Sequence, residues 1–140
     1  MTATSTKLIE SFYNDVWNKR DFRVAHEIIS TDFRFRGSLG PVKRGIGGFL
    51  EYVEAVHKAL GNYTCIIEDL VCSDDRAAAR MVFRGTHQSE FFGISRTGKN
   101  IEWAGAAFWG LSDGKLSRLW VLGDLDAVKQ QLGAPADCRF

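Results

Sequence analysis

Two side chains in this 140-residue chain have the type and placement for proton transfer. Asp124 stands where the apolar run 116–123 gives way to a short helical pattern, and His87 closes the run RMVFRGTH. Counting by twos puts Asp124 on one face with Leu116, Arg118, Trp120 and Leu122, and puts Leu119, Val121 and Gly123 on the other. On that reading the carboxylate sits among large apolar groups, where ionisation is costly and proton affinity rises toward neutral pH. The competing reading is structural, because Asp is a favoured N-cap and helical residues 125–132 follow directly; Asp126 is also placed to cap them. His87 faces the same way as Met81, Phe83 and Gly85, and a histidine on an apolar face is more often a hydrogen-bonded core residue than a catalyst. His26 and His57 fall on helical stretches beside charged neighbours, which predicts solvated side chains.

Aromatic side chains supply walls for such a site. Trp103, Gly105, Ala107 and Trp109 share one face of their strand, and two tryptophans separated by small residues leave room for a planar ligand. Plain core packing is the commoner use of any single Trp. Tyr13, Trp17, Phe35 and Trp120 complete the expected substrate-binding lining, with Asp124 and His87 as the catalytic pair.

The elements that must position these groups follow from periodicity. Leu8, Ile9, Phe12, Tyr13, Val16 and Trp17 recur at helical spacing, which predicts an amphipathic helix over 5–19. Asp21 is placed to cap a second helix carrying Val24, Ala25, Ile28 and Ile29 and ending at Thr31-Asp32, after which FRFRG alternates as a short strand. A glycine-rich loop, SLGPVKRGIGG, leads to a third helix with Ile46, Phe49, Leu50, Val53, Val56 and Leu60 on its buried stripe and Gly61 as its terminator. Four long strands follow. Ser73-Asp74-Asp75 turns the first pair and Asp113-Gly114 the last, Asp-Gly being a strong hairpin signal, while 92–100 reads as a loose connection. Helices followed by a long curved antiparallel sheet define an α+β domain spanning 1–140, with the sheet bent around the helices to enclose a cavity. The apolar or small outer face predicts a homodimer, or higher homo-oligomer, formed sheet to sheet.

A net charge of +1 with mixed signs gives no reason to expect nucleic acid or an anionic membrane as partner. Cys65, Cys72 and Cys138 show no metal-binding spacing; Cys65 and Cys72, seven apart, are expected to face opposite ways as small buried thiols of a reducing compartment. The N-terminus has no basic segment followed by an apolar one and no run approaches membrane-spanning length, so a soluble cytoplasmic protein is expected. No G-x-S-x-G elbow, Walker loop, G-x-G-x-x-G turn or H-E-x-x-H helix is present, leaving nucleophilic hydrolysis, nucleotide binding and zinc chemistry without sequence support.

The order of elements resembles the nuclear transport factor 2-like superfamily, a cone of curved antiparallel or mixed sheet capped by helices. Within it, GTHQSEFFGISRTGK, then an apolar strand, DGK, Trp120, Asp124 and QQLG, resembles the SnoaL-like polyketide cyclases and the predicted ester cyclases, with the C-terminal half the more specific. The resemblance implies an isomerase or lyase of biosynthesis: a cofactor-independent intramolecular aldol cyclase of a small apolar polyketide-like substrate, with no metal. The position of Asp124 is the general acid/base there and that of Trp17 an aromatic wall. One departure stands out: where those cyclases carry a histidine on the penultimate strand, this chain has Ala107. Either His87 substitutes from the neighbouring strand or the chemistry differs. A hydrolase, dehydratase or hydroxylase, and a non-catalytic ligand-binding module, remain open alternatives on such a fold.

Overall fold

In the computed structural model, which describes residues 2–38 and 40–133, a six-stranded sheet curves around the helices of the first 59 residues. α1 (Thr2–Ser11) begins earlier than its apolar pattern predicts and runs into a wider turn, Phe12–Trp17. This turn is wound with bonds from residue i to i+5: the Asn18 amide donates to the Tyr13 carbonyl at 2.9 Å. The winding puts Phe12, Tyr13, Val16 and Trp17 on the buried side together. Immediately after it, the Asn18 side chain docks on β3 (Leu60–Cys72). Its Nδ2 donates to the Cys65 carbonyl at 3.0 Å and its Oδ1 accepts from the Cys65 amide at 2.8 Å, as a neighbouring strand would.

The Asp21 carboxylate caps α2 (Phe22–Ile28), accepting from the amides of Arg23 and Val24, as the sequence implies. The helix ends earlier than predicted and passes without a turn into β1 (Ile29–Arg36), because Ile29 and Thr31 are β-branched and Ile29 is fully buried in extended conformation. β2 (Lys43–Arg44) and α3 (Gly45–Ala59) follow. Gly61 does not terminate α3. Leu60 turns to φ −125°, ψ 109° and enters β3, where glycine at 61 makes room for the Gln88 side chain.

With β4 (Arg76–His87), β5 (Asn100–Ser112) and β6 (Lys115–Gly123), the sheet order is β2-β1-β6-β5-β4-β3, and α4 (Leu125–Gln131) closes the described chain. Neighbours are antiparallel except β1 and β6, which makes the sheet mixed. The Asp113-Gly114 turn has φ of 52° and 74°, the positive values that two-residue hairpin turns require.

Two bulges decide which side chains face in. In β3 the register shifts between Ile67 and Asp69, so Cys65 pairs with buried Phe83 and Cys72 with buried Ala77. Both thiols therefore lie toward the core, correcting the expectation of opposite faces; Cys138 lies outside the described residues. In β6 the pairs Leu111–Leu116 and Gly110–Arg118 leave Ser117 as an extra residue. Leu116 points inward, fully buried, whereas Arg118, Trp120 and Leu122 point outward. The core is largely aromatic: Phe12 stacks on Phe49 at 5.2 Å and meets Trp109 edge-on at 4.5 Å, and Phe49 also contacts Trp17, Phe33 and Phe35.

Asn18→Ala removes both partners of the Cys65 peptide at the sheet edge. Denaturant unfolding should show a loss of about 1–3 kcal/mol, the usual effect of stranding partly buried backbone groups.

Candidate active site

Inside the cone, Tyr13 and Trp17 from the wide turn, Phe35 from β1, Tyr52 from α3, Tyr63 from β3 and Trp103 from β5 enclose a cavity, with Val121 and Leu125 toward the β6–α4 end. Its volume is about 40 Å³, room for little more than a water molecule. Two glycines let their neighbours pack closely beside it. A Cβ on Gly123 would meet Ser38 Oγ at 2.9 Å and Trp103 Nε1 at 3.0 Å, and one on Gly37 would meet Tyr52 Oη at 2.5 Å. Among the described residues no carboxylate lines this cavity.

The interior holds phenols and a thiol instead. Tyr13 Oη and Trp109 Nε1 are buried without a hydrogen-bond partner, and their rings meet edge-on at 5.8 Å. Burial, with the Cys65 thiol second, holds the Tyr13 hydroxyl well above its ordinary value near 10, so it stays a neutral donor. Tyr63 is raised by the same causes, and burial also pushes the Cys65 thiol up, keeping it protonated.

Asp124 lies on the outer side. It does share a face with Trp120 and Leu122, but that face is turned away from the cavity: Trp120 is 42 % and Leu122 53 % exposed, and Asp124 itself is exposed. Its carboxylate N-caps α4, with Oδ1 accepting from the Ala127 amide at 3.1 Å. The low-dielectric surroundings foreseen for it are therefore absent. The reason is the bulge at Ser117, since counting by twos from buried Leu116 carries the wrong face forward. Trp120 is corrected with it: Phe108 lies beside it at 5.9 Å and the Arg36 guanidinium over it at 5.2 Å, outside the cavity.

His87 is fully buried yet lies elsewhere. The Thr97 amide donates to its Nδ1 at 3.2 Å, and the Thr97 hydroxyl is 2.8 Å from the same nitrogen. Because an amide can only donate, the ring proton sits on Nε2, which has no partner. His87 thus pins the 88–99 connection and is not among the residues that line the cavity; Ala107 is itself fully buried. Of the expected lining, Tyr13, Trp17, Phe35 and Trp103 come together at the cavity, while Trp109 packs behind Phe12 and Tyr13. Sequence reasoning missed Tyr52, Tyr63 and Phe83. Phe83 carried a signal, lying on the Met81 face of β4, whereas Tyr52 stands beside the buried stripe of α3.

His57 is also corrected: it is half-buried, with Nε2 2.7 Å from the Trp17 carbonyl and its ring against Trp17 and Tyr63. Desolvation lowers its proton affinity from the ordinary value of 6.5, outweighing the opposing bond to Trp17. At the far end, Gln131 gives its amide to β5 in both directions, accepting from Glu102 N at 2.9 Å and donating to Glu102 O at 2.8 Å. It continues the hydrogen bonding of β6 beyond the last paired residue, Gly123. Among the described residues, no three His, Cys, Asp or Glu side chains gather as a metal site, and no helix is long and apolar enough to cross a membrane.

A family model described as SnoaL-like polyketide cyclase matches residues 7–132, and the chain belongs to that family. TsrD from Streptomyces laurentii is 26 % identical and superposes with a TM-score of 0.84, covering 96 % of this chain and 98 % of its own. IdmH from Streptomyces antibioticus, described as a candidate polyketide cyclase, is 25 % identical with a TM-score of 0.80, over 92 % and 98 % of the two chains. A candidate SnoaL-like polyketide cyclase from Jannaschia sp. CCS1 shares the fold at 17 % identity, with a TM-score of 0.86 over 96 % and 94 %. No curated protein matches the chain in sequence. The architecture is thus the cone of the nuclear transport factor 2-like and ketosteroid isomerase-like folds.

The lowered proton affinity of His57 has a sign. Below about pH 6.5 the unfolded chain takes up a proton that the folded chain resists, so this contribution to stability declines as pH falls toward the folded-state value. Melting temperatures at about pH 7.5 and 5.5 should differ more for the wild type than for His57→Gln.

Proposed function

We propose that the chain is a cofactor-independent cyclase or isomerase of a small, carbonyl-rich polyketide-like substrate, working by enolisation and intramolecular aldol closure. The observation that supports this best is Tyr13, a neutral phenol on the cavity wall whose hydroxyl has no partner. Stranding a buried hydroxyl costs about 1–3 kcal/mol, and a substrate carbonyl is a partner that would recover it. As an α-proton leaves, charge gathers on that oxygen, where a fixed donor in a water-poor site is worth far more than in solution.

The base in this reading is Asp124, acting from the rim. It is the residue before Leu125 on the cavity wall, at the junction where β6 becomes α4. A substrate entering between Ser38 and Leu125 would leave its activated carbon at the mouth and its carbonyl inside. Asp124 takes the α-proton, the enolate carbon attacks a second carbonyl of the same molecule, and the alkoxide takes the proton back. Nothing is consumed. Holding the substrate folded supplies proximity, and a placed acid–base group adds about 10²–10⁴-fold, or ~3–5 kcal/mol. Such a substrate requires the cavity to widen well beyond about 40 Å³.

A second reading, a non-catalytic binder of small apolar ligands, is favoured by the small cavity and the outward Asp124. One pair of variants separates the readings, because Asn caps a helix about as well as Asp and Ala does not. With a panel of β-keto esters in D₂O, Asp124→Asn should melt like the wild type while α-proton exchange falls by about 10²-fold or more, and Asp124→Ala should lose both. Unchanged exchange in Asp124→Asn leaves the residue a cap only. Absence of exchange by the wild type across the panel favours the binder. Oxygen from labelled water appearing in a product would instead indicate a hydrolase, and oxygen from labelled O₂ a hydroxylase.

A further inference from the structure

Gly105 of β5 pairs with Gly123 of β6, on the inward row that carries Trp103 and Ala107, so two neighbouring positions of the sheet's inner face are bare. The two spaces are filled differently. At Gly105 the Phe83 ring takes the place of the missing side chain. At Gly123 the two nearest atoms are polar: Ser38 Oγ lies 2.9 Å and Trp103 Nε1 3.0 Å from the point a Cβ would take. The two groups are therefore within about 6 Å of each other, and one oxygen resting on the bare Gly123 backbone can accept from both. Neither group has a hydrogen-bond partner among the described residues. An indole N–H can only donate, so Trp103 has an acceptor still to find.

Ser38 and Trp103 both line the cavity that Tyr13 lines, and Asp124 follows Gly123 directly. The Asp124 amide donates at 2.9 Å to the carbonyl of Ala104, the residue after Trp103. The donor pair and the proposed base thus share one strand pairing. Aldol closure gathers negative charge on two oxygens in turn, first that of the enolising carbonyl and then that of the carbonyl attacked. The Tyr13 hydroxyl serves the first. The second needs donors of its own, and these two stand beside the base. Packing alone is served as well by an apolar ring at 103, whereas the indole brings a polar group that the fold leaves without an acceptor.

We propose that the Ser38 hydroxyl and the Trp103 indole N–H hold the acceptor carbonyl of a dicarbonyl substrate over Gly123 and stabilise the alkoxide formed there on ring closure. This rests on the enolisation reading above and extends it. Asp124 takes a proton from the carbon next to the carbonyl held by Tyr13. That carbon bonds to the second carbonyl carbon, whose π electrons pass to the oxygen under the two donors, and the alkoxide takes the proton back from Asp124. Substrate and product are isomers. The substrate class narrows accordingly to two carbonyls on one flexible chain, one reaching Tyr13 and the other left at the β6–α4 end.

The test gives the full chain heptane-2,6-dione, which closes to a six-membered hydroxyketone, and follows α-proton exchange and ring closure together in D₂O. Trp103→Phe keeps an aromatic ring and removes the N–H, and Ser38→Ala removes the hydroxyl. Each should lower the ratio of closure to exchange by about tenfold or more, whereas Trp17→Phe, another indole of the cavity wall, should leave that ratio as in the wild type. Ser38 is half-buried in a turn, so Ser38→Ala tests the pair even where Trp103→Phe unfolds. In Asp124→Asn, the indole proton resonance that Trp103→Phe lacks should move downfield as the diketone is added in H₂O. A stationary resonance overturns the proposal. So does an equal fall of closure and exchange in Trp103→Phe and Ser38→Ala, or a ratio lowered as much by Trp17→Phe, since the pair is then only part of the wall. Exchange without closure by the wild type overturns it and leaves the enolisation reading standing. Absence of both removes that reading and this proposal with it.

Discussion

The architecture depends on one wedge. The wide turn Phe12–Trp17 drives Phe12, Tyr13, Val16 and Trp17 into the sheet's inner face, where Phe12 meets both Phe49 and Trp109. Three polar contacts fix its end: Asn18 pairs both ways with the Cys65 peptide, and His57 bonds the Trp17 carbonyl. The wider winding narrows the arc that these four side chains span, compared with an ordinary α-turn. Two of the wedge's residues, Tyr13 and Trp17, line the cavity, and the Tyr13 hydroxyl is buried there without a partner.

Much of this was legible in the residues. Helix positions, the Asp21 cap, the hairpin at Asp113-Gly114 and the inward face of Trp103 and Trp109 follow from periodicity and turn chemistry, and the family resemblance agrees with the fold. The face of Asp124 did not follow. Both faces of β6 are apolar enough to pass as interior, and a single extra residue at Ser117 reverses the parity between buried Leu116 and exposed Trp120. Arg118, between those two, was the available signal, since an arginine two residues from Trp120 marks that face as the outer one. The bulge in β3 misled the reading of Cys72 in the same way.

Register hides information of another kind. Ser38, Trp103 and Gly123 are scattered through the chain. Only the folded sheet brings the Ser38 hydroxyl and the Trp103 indole together over the bare Gly123 backbone. The QQLG stretch likewise acquires a physical meaning, because Gln131 completes the hydrogen bonding of β5 where β6 has ended.

The central claim is that the buried Tyr13 hydroxyl is kept for a ligand and not for the fold. Tyr13→Phe deletes that one atom and leaves the ring packing in place, so paired measurements of melting temperature and β-keto ester proton exchange decide the matter. The account predicts a melting temperature equal to or above that of the wild type, with exchange reduced by about 10²-fold. A variant destabilised by more than about 1 kcal/mol with exchange intact would contradict it, making the hydroxyl a structural group.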